Sequence, residues 1–338
     1  METFRTVVDV PHQQDRMSYD SQLLFMGSCF ANNIGSYFTE TGFNALVNPF
    51  GVLYNPFSIS ESINRLISNK KYELSDLISH NDQWQSFDFH SQFNHTNKEQ
   101  CLQNINDSLK KGTEVLHNAD YLLLTFGTAW IYQLKDSEKV VSNCHKFPAS
   151  HFSRSLLSVE QITETYSQLI KQLKAINSNL TIILTVSPVR HWKDGAHGNQ
   201  ISKATLLLSI EKLCSKFDHL FYFPAYEILL DDLRDYRFFD SDMLHPSKEA
   251  IDYIRSKFIS SWIDDKGLDF IQRMEKIKKA ASHKPFDPNS AQHQKFIKQQ
   301  IAGLEQIQKK FNNVTLSYHI EVFNKQLNKT VKSHKKSR

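Results

Sequence analysis

Ten glycines in 338 residues form no Gly-rich phosphate loop, which speaks against nucleotide chemistry. The four cysteines, Cys29, Cys101, Cys144 and Cys214, show no CxxC pair and no framework spacing. Reduced thiols in a cytoplasmic protein are therefore expected. No apolar run approaches the ~20 residues that a membrane span needs. The opening Met1-Glu2-Thr3-Phe4-Arg5 lacks the basic-then-apolar order of a signal peptide. A net charge of +4, with lysines gathered toward the C-terminus rather than in one groove-sized patch, argues against a nucleic-acid partner. His90 and His95 with Asp82 and Asp88 do not fit zinc-ligand spacing, so no metal is expected. No internal repeat is present.

What is present is enough apolar content, 40% of the chain, to bury a full core. Continuous apolar runs at 23–26, 121–125, 180–186 and 220–223 read as buried strands of a parallel sheet. They alternate with segments of helical periodicity at 30–38, 59–67, 106–116, 159–176, 206–217 and 251–258. This alternation predicts a three-layer α/β/α sandwich. A short second strand is expected at 44–47. Residues before 21 are polar and should run along the surface. Two stretches, 72–97 and 131–155, are aromatic and polar and read as insertions in a first domain spanning 1–262. After Trp262 the chain becomes rich in Lys and Gln. At least one helix, marked by Phe296, Ile297, Ile301, Leu304 and Ile307, is expected in a helical extension over 263–331. The basic run 332–338 reads as a solvated tail.

Two stretches carry chemistry. In Phe25-Met26-Gly27-Ser28-Cys29-Phe30-Ala31 a strand ends at a glycine, and two small nucleophilic side chains open an amphipathic helix. Unpaired N–H groups and the helix dipole favour negative charge there, which is expected to push a thiol toward thiolate. On the turn alone, a nucleophile and a small buried filler are equally compatible with Cys29. Far downstream, Asp242-Met243-Leu244-His245 precedes a helix for which Ser247 is the N-cap candidate. That spacing lets the carboxylate fix the imidazole tautomer while the other ring nitrogen faces a nucleophile. Arg190 and His191 follow a strand's C-terminal end, where open α/β sheets bind ligands. They, and His90 in the first insertion, are candidate substrate contacts.

The turn near the start and the DxxH near the end together resemble the SGNH (GDSL) hydrolases. The first motif, read as GSCFA, resembles the GSCFA family. Asn48-Pro49-Phe50-Gly51 falls where that superfamily has its second-block glycine. Leu124-Thr125-Phe126-Gly127-Thr128-Ala129 falls where it has a strand ending in GxND. Ser187-Pro188-Val189-Arg190 resembles the exit of the fourth core strand. In this register Cys29 takes the nucleophile's place and Ser28 the place of the aspartate, as a turn-stabilising hydroxyl. Gly51 takes the place of a backbone oxyanion donor. The resemblance puts Ala129 where a side-chain donor is expected, leaving Asn48, Asn55 or Thr128, beside Gly127, as replacements.

The resemblance implies an SGNH-like esterase or acyltransferase working through a covalent acyl-enzyme on Cys29, with His245 as base then acid and Asp242 orienting it. No tightly bound cofactor is implied. The substrate class is a small-molecule or glycan acyl compound, with acyl-CoA as a donor, because a thiolate exchanges readily with a thioester. The different-class reading is a non-catalytic carbohydrate- or ligand-binding protein on a degenerate hydrolase fold, which Ala129 favours.

Overall fold

The computed structural model describes residues 5–283, 285–312, 314 and 316–334. The chain divides into two units. The first comprises residues 1–12, 22–36 and 45–260, and the second residues 13–21, 37–44 and 261–338. Residues 13–21 and 37–44, which the sequence reading places in the first domain, thus belong with the C-terminal helices.

The first unit is built on a central sheet of β1 (Gln22–Gly27), β2 (Asn44–Val47), β5 (Tyr121–Phe126), β9 (Thr181–Val186) and β10 (Leu220–Tyr222). The spatial order is β10-β9-β5-β1-β2. The β1/β5, β5/β9 and β9/β10 pairs are parallel, with Gly27 opposite Thr125 and Phe126 opposite Val186. Between them run α1 (Cys29–Glu40), α2 (Pro56–Ser68), α3 (Lys98–Asn118), α4 (Val159–Ile176), α5 (Gly195–Cys214), the single turn α6 (Ala225–Glu227) and α7 (Lys248–Trp262). Strands buried on both faces need helices on both. Leu24, Met26, Leu122, Leu124, Ile182 and Leu184 pack into one core with Ile59, Ile63, Ile105, Leu169 and Leu206 from α2–α5. The alternate residues Phe25, Leu123 and Ile183 meet Phe30, Ile34 and Phe258 from α1 and α7. The result is a three-layer α/β/α sandwich.

Both predicted insertions have their own structure. Residues 72–97 hold the antiparallel pair β3 (Ile78–His80) and β4 (Gln83–Gln85). The second holds β6 (Trp130–Leu134), β7 (Val140–Val141) and β8 (Phe152–Leu156), a three-stranded antiparallel sheet with β6 in the centre. α5 begins at Gly195, well before the helix expected from 206. Its first half buries Asn199, Ser202 and Lys203, so no apolar stripe announces it.

In the second unit α8 (Asp265–Ser282), α9 (Ala291–Lys310) and α10 (Ser317–His334) follow one another. Asp264 caps α8 by accepting from Gly267 N–H at 2.6 Å, and Ser290 caps α9 through His293 N–H. Phe270 packs between Phe43, centroids 5.5 Å apart, and Phe311, 5.1 Å apart. α10 takes in the first three residues of the basic run, and 335–338 lie outside the described residues. Among the described residues no helix is long and apolar enough to cross a membrane.

The order 2-1-5-9-10 puts a topological switch between β1 and β5. From β1 the chain moves outward to β2, then returns across to β5, leaving a crevice at their carboxyl ends where such sheets place ligands. Gly27 ends β1 at φ +132°, and a Cβ there would overlap the Thr125 carbonyl of the neighbouring strand. Gly195, at φ +65°, has nothing within 4 Å of its would-be Cβ. Gly27→Ala should therefore cost more than about 3 kcal/mol in urea-unfolding free energy. Gly195→Ala should cost only the ~1–3 kcal/mol of strain of an extended, positive-φ backbone. Equal losses would contradict the assignment of Gly27 to a backbone-backbone close approach.

Candidate active site

The crevice opens into a cavity of about 570 Å³, lined among others by Ser28, Cys29, Tyr54, Asn55, His90, Thr128, Ser187, Arg190, His191 and His245. Trp130, Tyr132 and Arg154 of the β6–β8 sheet and Cys144 of the loop between β7 and β8 also line it. The β1 turn is held from three sides. Ser28 N–H donates to Thr125 O at 3.2 Å, and Leu53 N–H donates to Gly27 O at 2.9 Å. Gly27 N–H donates to the Asn48 side-chain carbonyl at 2.9 Å. Ser28 is only 1% exposed, and its hydroxyl accepts from Phe30 N–H at 3.2 Å. It caps α1, as the serine side chain's geometry at a helix start allows. Cys29, the next residue, is partly exposed and faces the cavity.

The Asp242–His245 loop is closed from within. Asp242 Oδ1 accepts from Leu244 N–H and His245 N–H, both at 2.9 Å, and Oδ2 lies 2.6 Å from His245 Nδ1. Those bonds, His245 N–H first, hold the Asp242 carboxyl down to about 2. Ionised, it can only accept, so His245 Nδ1 carries the proton and Nε2 is left as the basic nitrogen. Arg190 N–H reaches Leu244 O at 3.4 Å, tying this loop to the end of β9. Ser247 caps α7 through Ala250 N–H, as its position predicts.

A family comparison matches residues 22–258 to the GSCFA family and residues 274–329 to the GSCFA domain protein, C-terminal domain. The chain belongs to the GSCFA family. Among curated proteins no match is found.

In this GSCFA protein the cavity gathers most, but not all, of the residues singled out from sequence. Cys29, Ser28, His245, His90, Arg190, His191, Asn55 and Thr128 line it together. Gly51 does not. Its N–H is bound to Asn48 O at 2.7 Å, and a Cβ on it would overlap His90 Cβ, so it braces His90 instead of facing an oxyanion. Asn48 is buried as the pin of the β1 turn. Gly127 and Thr128 both spend their N–H groups on Tyr54 O, at 2.8 and 2.9 Å. The Thr128 hydroxyl sits 3.0 Å from that of Ser202. Ala129 is fully buried in the core and does not line the cavity. Asn55 keeps an amide on the cavity: its Oδ1 caps α2 through Ser58 N–H and its Nδ2 donates to Ser58 Oγ at 3.0 Å.

The thiol's electrostatics also differ from expectation. Burial pushes the Cys29 pKa up, outweighing the N–H groups of Phe30 and Cys29 and the positive Lys203, which all pull it down. The helix start acts in the expected direction, but desolvation wins.

Several functional candidates carry no sequence signal. Tyr54 lies close enough for Cys29 to raise its pKa, after burial, and its ring meets His191 edge-on at 5.8 Å. Arg154 pairs with Asp194 and lies over the Trp130 ring, 4.1 Å from its centroid. His90, by contrast a candidate from the sequence, accepts from Gln92 N–H at Nδ1, and burial lowers its pKa. Among the described residues no cluster of three His, Cys, Asp or Glu is arranged to hold a metal ion.

Burial first, and then Lys203, hold His191 down to about 4, so it is neutral in the folded protein at neutral pH. The unfolded chain protonates it near 6.5. The unfolded state then binds more protons, and stability falls as pH drops from about 6.5 to about 4, by up to on the order of 1 kcal/mol per unit. His191→Gln should flatten that part of the unfolding free energy against pH. An unchanged slope would contradict the buried, neutral ring.

Proposed function

We propose that this GSCFA protein is an SGNH-type acyl-transfer enzyme whose nucleophile is Cys29. One observation carries the reading. Cys29 and the tautomer-fixed His245 open onto the same cavity at the switch point, while the neighbouring Ser28 hydroxyl is consumed as a helix cap.

His245 Nε2 takes the Cys29 proton as the sulfur attacks the acyl carbonyl, forming a C–S bond and a tetrahedral oxyanion. The Cys29 N–H, in the first turn of α1 and so without a helical acceptor, and the Asn55 side-chain amide are the donors offered to that oxygen. Collapse breaks the bond to the leaving group, which departs with the proton from His245. A hydroxyl acceptor then gives its proton to His245 and attacks the thioester, and Cys29 leaves as the thiolate. Asp242 holds the imidazole and offsets its transient charge.

A thiolate leaves more readily than an alkoxide, so attack on an oxygen ester is uphill and attack on a thioester nearly balanced. The donor is therefore a thioester of the acyl-CoA type, the acceptor a hydroxyl compound such as a glycan, and transfer outruns hydrolysis. The four unpaired thiols suit a reducing compartment such as the cytoplasm. The buried Ala129 favours a second reading, a ligand-binding protein that has lost its chemistry.

Assays with acyl-thioester and oxygen-ester donors and a panel of hydroxyl acceptors separate the two. Thioesters should be used and esters should not. Cys29→Ala should be inactive and Cys29→Ser weak, with Ser28→Ala impaired through loss of the cap. His245→Ala should lose about 10⁴-fold, and Asp242→Asn about 10²–10⁴-fold through the wrong tautomer. Full turnover by Cys29→Ala or His245→Ala would end the acyl-enzyme reading, and saturable ligand binding with no turnover would favour the second.

A further inference from the structure

Beneath the cavity lies a lysine that the acyl-transfer scheme does not use. Lys203, on α5, is 1% exposed. Its Nζ donates to Gly127 O and to Ser187 O, each at 2.7 Å, so it bridges the residues that follow β5 and β9 at the cavity floor. Among the described residues no carboxylate pairs with it. A buried ammonium with only neutral acceptors is poorly compensated. The charged or titratable groups facing it are Arg190 and His191 after β9, Cys29 at the start of α1 and the Tyr226 ring from α6, 5.6 Å from Nζ. Arg190 is a like charge and His191 a neutral ring. One acceptor of Lys203, Ser187, lines the same cavity as Cys29. The other, Gly127, lies two residues past Thr125, whose carbonyl receives Ser28 N–H beside Cys29. A thiolate at Cys29 pulls the lysine toward its charged form.

We propose that Lys203 is the counter-charge of the Cys29 thiolate, a positioning residue that lets a buried sulfur hold negative charge while its carbonyl clamp fixes the floor beneath it. The inference rests on Cys29 being the reactive thiol, not on what it acylates. When Cys29 gives its proton to His245, the sulfur anion and the Lys203 ammonium form a pair with no net charge. The sulfur is thereby spared the desolvation that otherwise holds it protonated. Burial first, with Arg190, holds Lys203 down to about 7 even though the Cys29 anion pulls it up, so without that anion the lysine gives up its proton more readily still.

The test is the pH profile of Cys29 alkylation by iodoacetamide, read at that residue by peptide mass spectrometry. It needs no acyl donor. In Lys203→Gln an amide donor remains for the clamp but the charge is gone. The profile should move up by about one pH unit, with a roughly tenfold slower reaction at pH 7, while thermal unfolding and circular dichroism confirm the fold. Lys203→Arg, which keeps the charge, should stay closer to wild type. A folded Lys203→Gln with an unmoved profile would overturn the proposal and leave Lys203 a clamp alone. Should the lysine variants not fold, the reciprocal measurement decides. The Lys203 amine, followed by NMR through its Cε, should titrate at lower pH in Cys29→Ala than in wild type, and an unchanged midpoint would overturn the pairing. A moved profile in a protein that no thioester acylates would support the pairing and refute only the acyl-transfer reading.

Discussion

At Gly27 the first strand stops against its neighbour with no space for a side chain, because the Thr125 carbonyl occupies the place a Cβ would take. The rest of the site follows from that close approach. It sets β1 and β5 in parallel register up to Gly27 and Thr125 and brings Ser28 N–H onto Thr125 O. The next two residues are then committed to starting α1 at the mouth of the switch-point crevice. Ser28 is spent on the cap and Cys29 is left facing the cavity. A sequence with two adjacent nucleophilic side chains thereby acquires one.

That geometry carries an electrostatic cost. Setting the thiol deep enough to be shielded raises its pKa, and the dipole of α1 does not offset the loss of water. On the proposed reading the site answers with a proton acceptor on one side and a cation on the other. His245, held by an ionised Asp242 on a half-exposed loop, can accept the proton. Lys203, clamped below, can balance the charge left behind. The cavity walls share the lysine's sign: Arg154 and Asp194 cancel as a pair, leaving Arg190 and Lys193. Such a lining suits negative charge on the ligand as well as on the sulfur.

Much of this was legible in the sequence because it is local. Continuous apolar runs gave β1, β5 and β9, helical periodicity gave α4 with both ends, and Gly27-Ser28-Cys29 and Asp242-x-x-His245 each form within a few residues. What was missed depends on separation or on polar burial. Lys203 bonds to carbonyls 76 and 16 residues away, and it sits in the half of α5 whose buried face is Asn199, Ser202 and Lys203. Periodicity of apolar residues has nothing to detect there. Gly51 and Asn48 were read as oxyanion donors from their place in a motif. A donor must be both free and in reach: a turn to Asn48 O uses the Gly51 N–H, and Asn48, whose Oδ1 accepts from Gly27 N–H, keeps its amide N–H buried away from the cavity lining.

The claim at the centre is that carbon–sulfur bond formation occurs at Cys29, and the most direct measurement is to find the bond. The protein is mixed with an acyl thioester without acceptor, quenched in acid and digested, and the peptide spanning residues 28 and 29 is fragmented. The account predicts one acyl mass on Cys29, removed by neutral hydroxylamine as a thioester is. An acyl group on Ser28, stable to that treatment, or no adduct from any thioester, would contradict it.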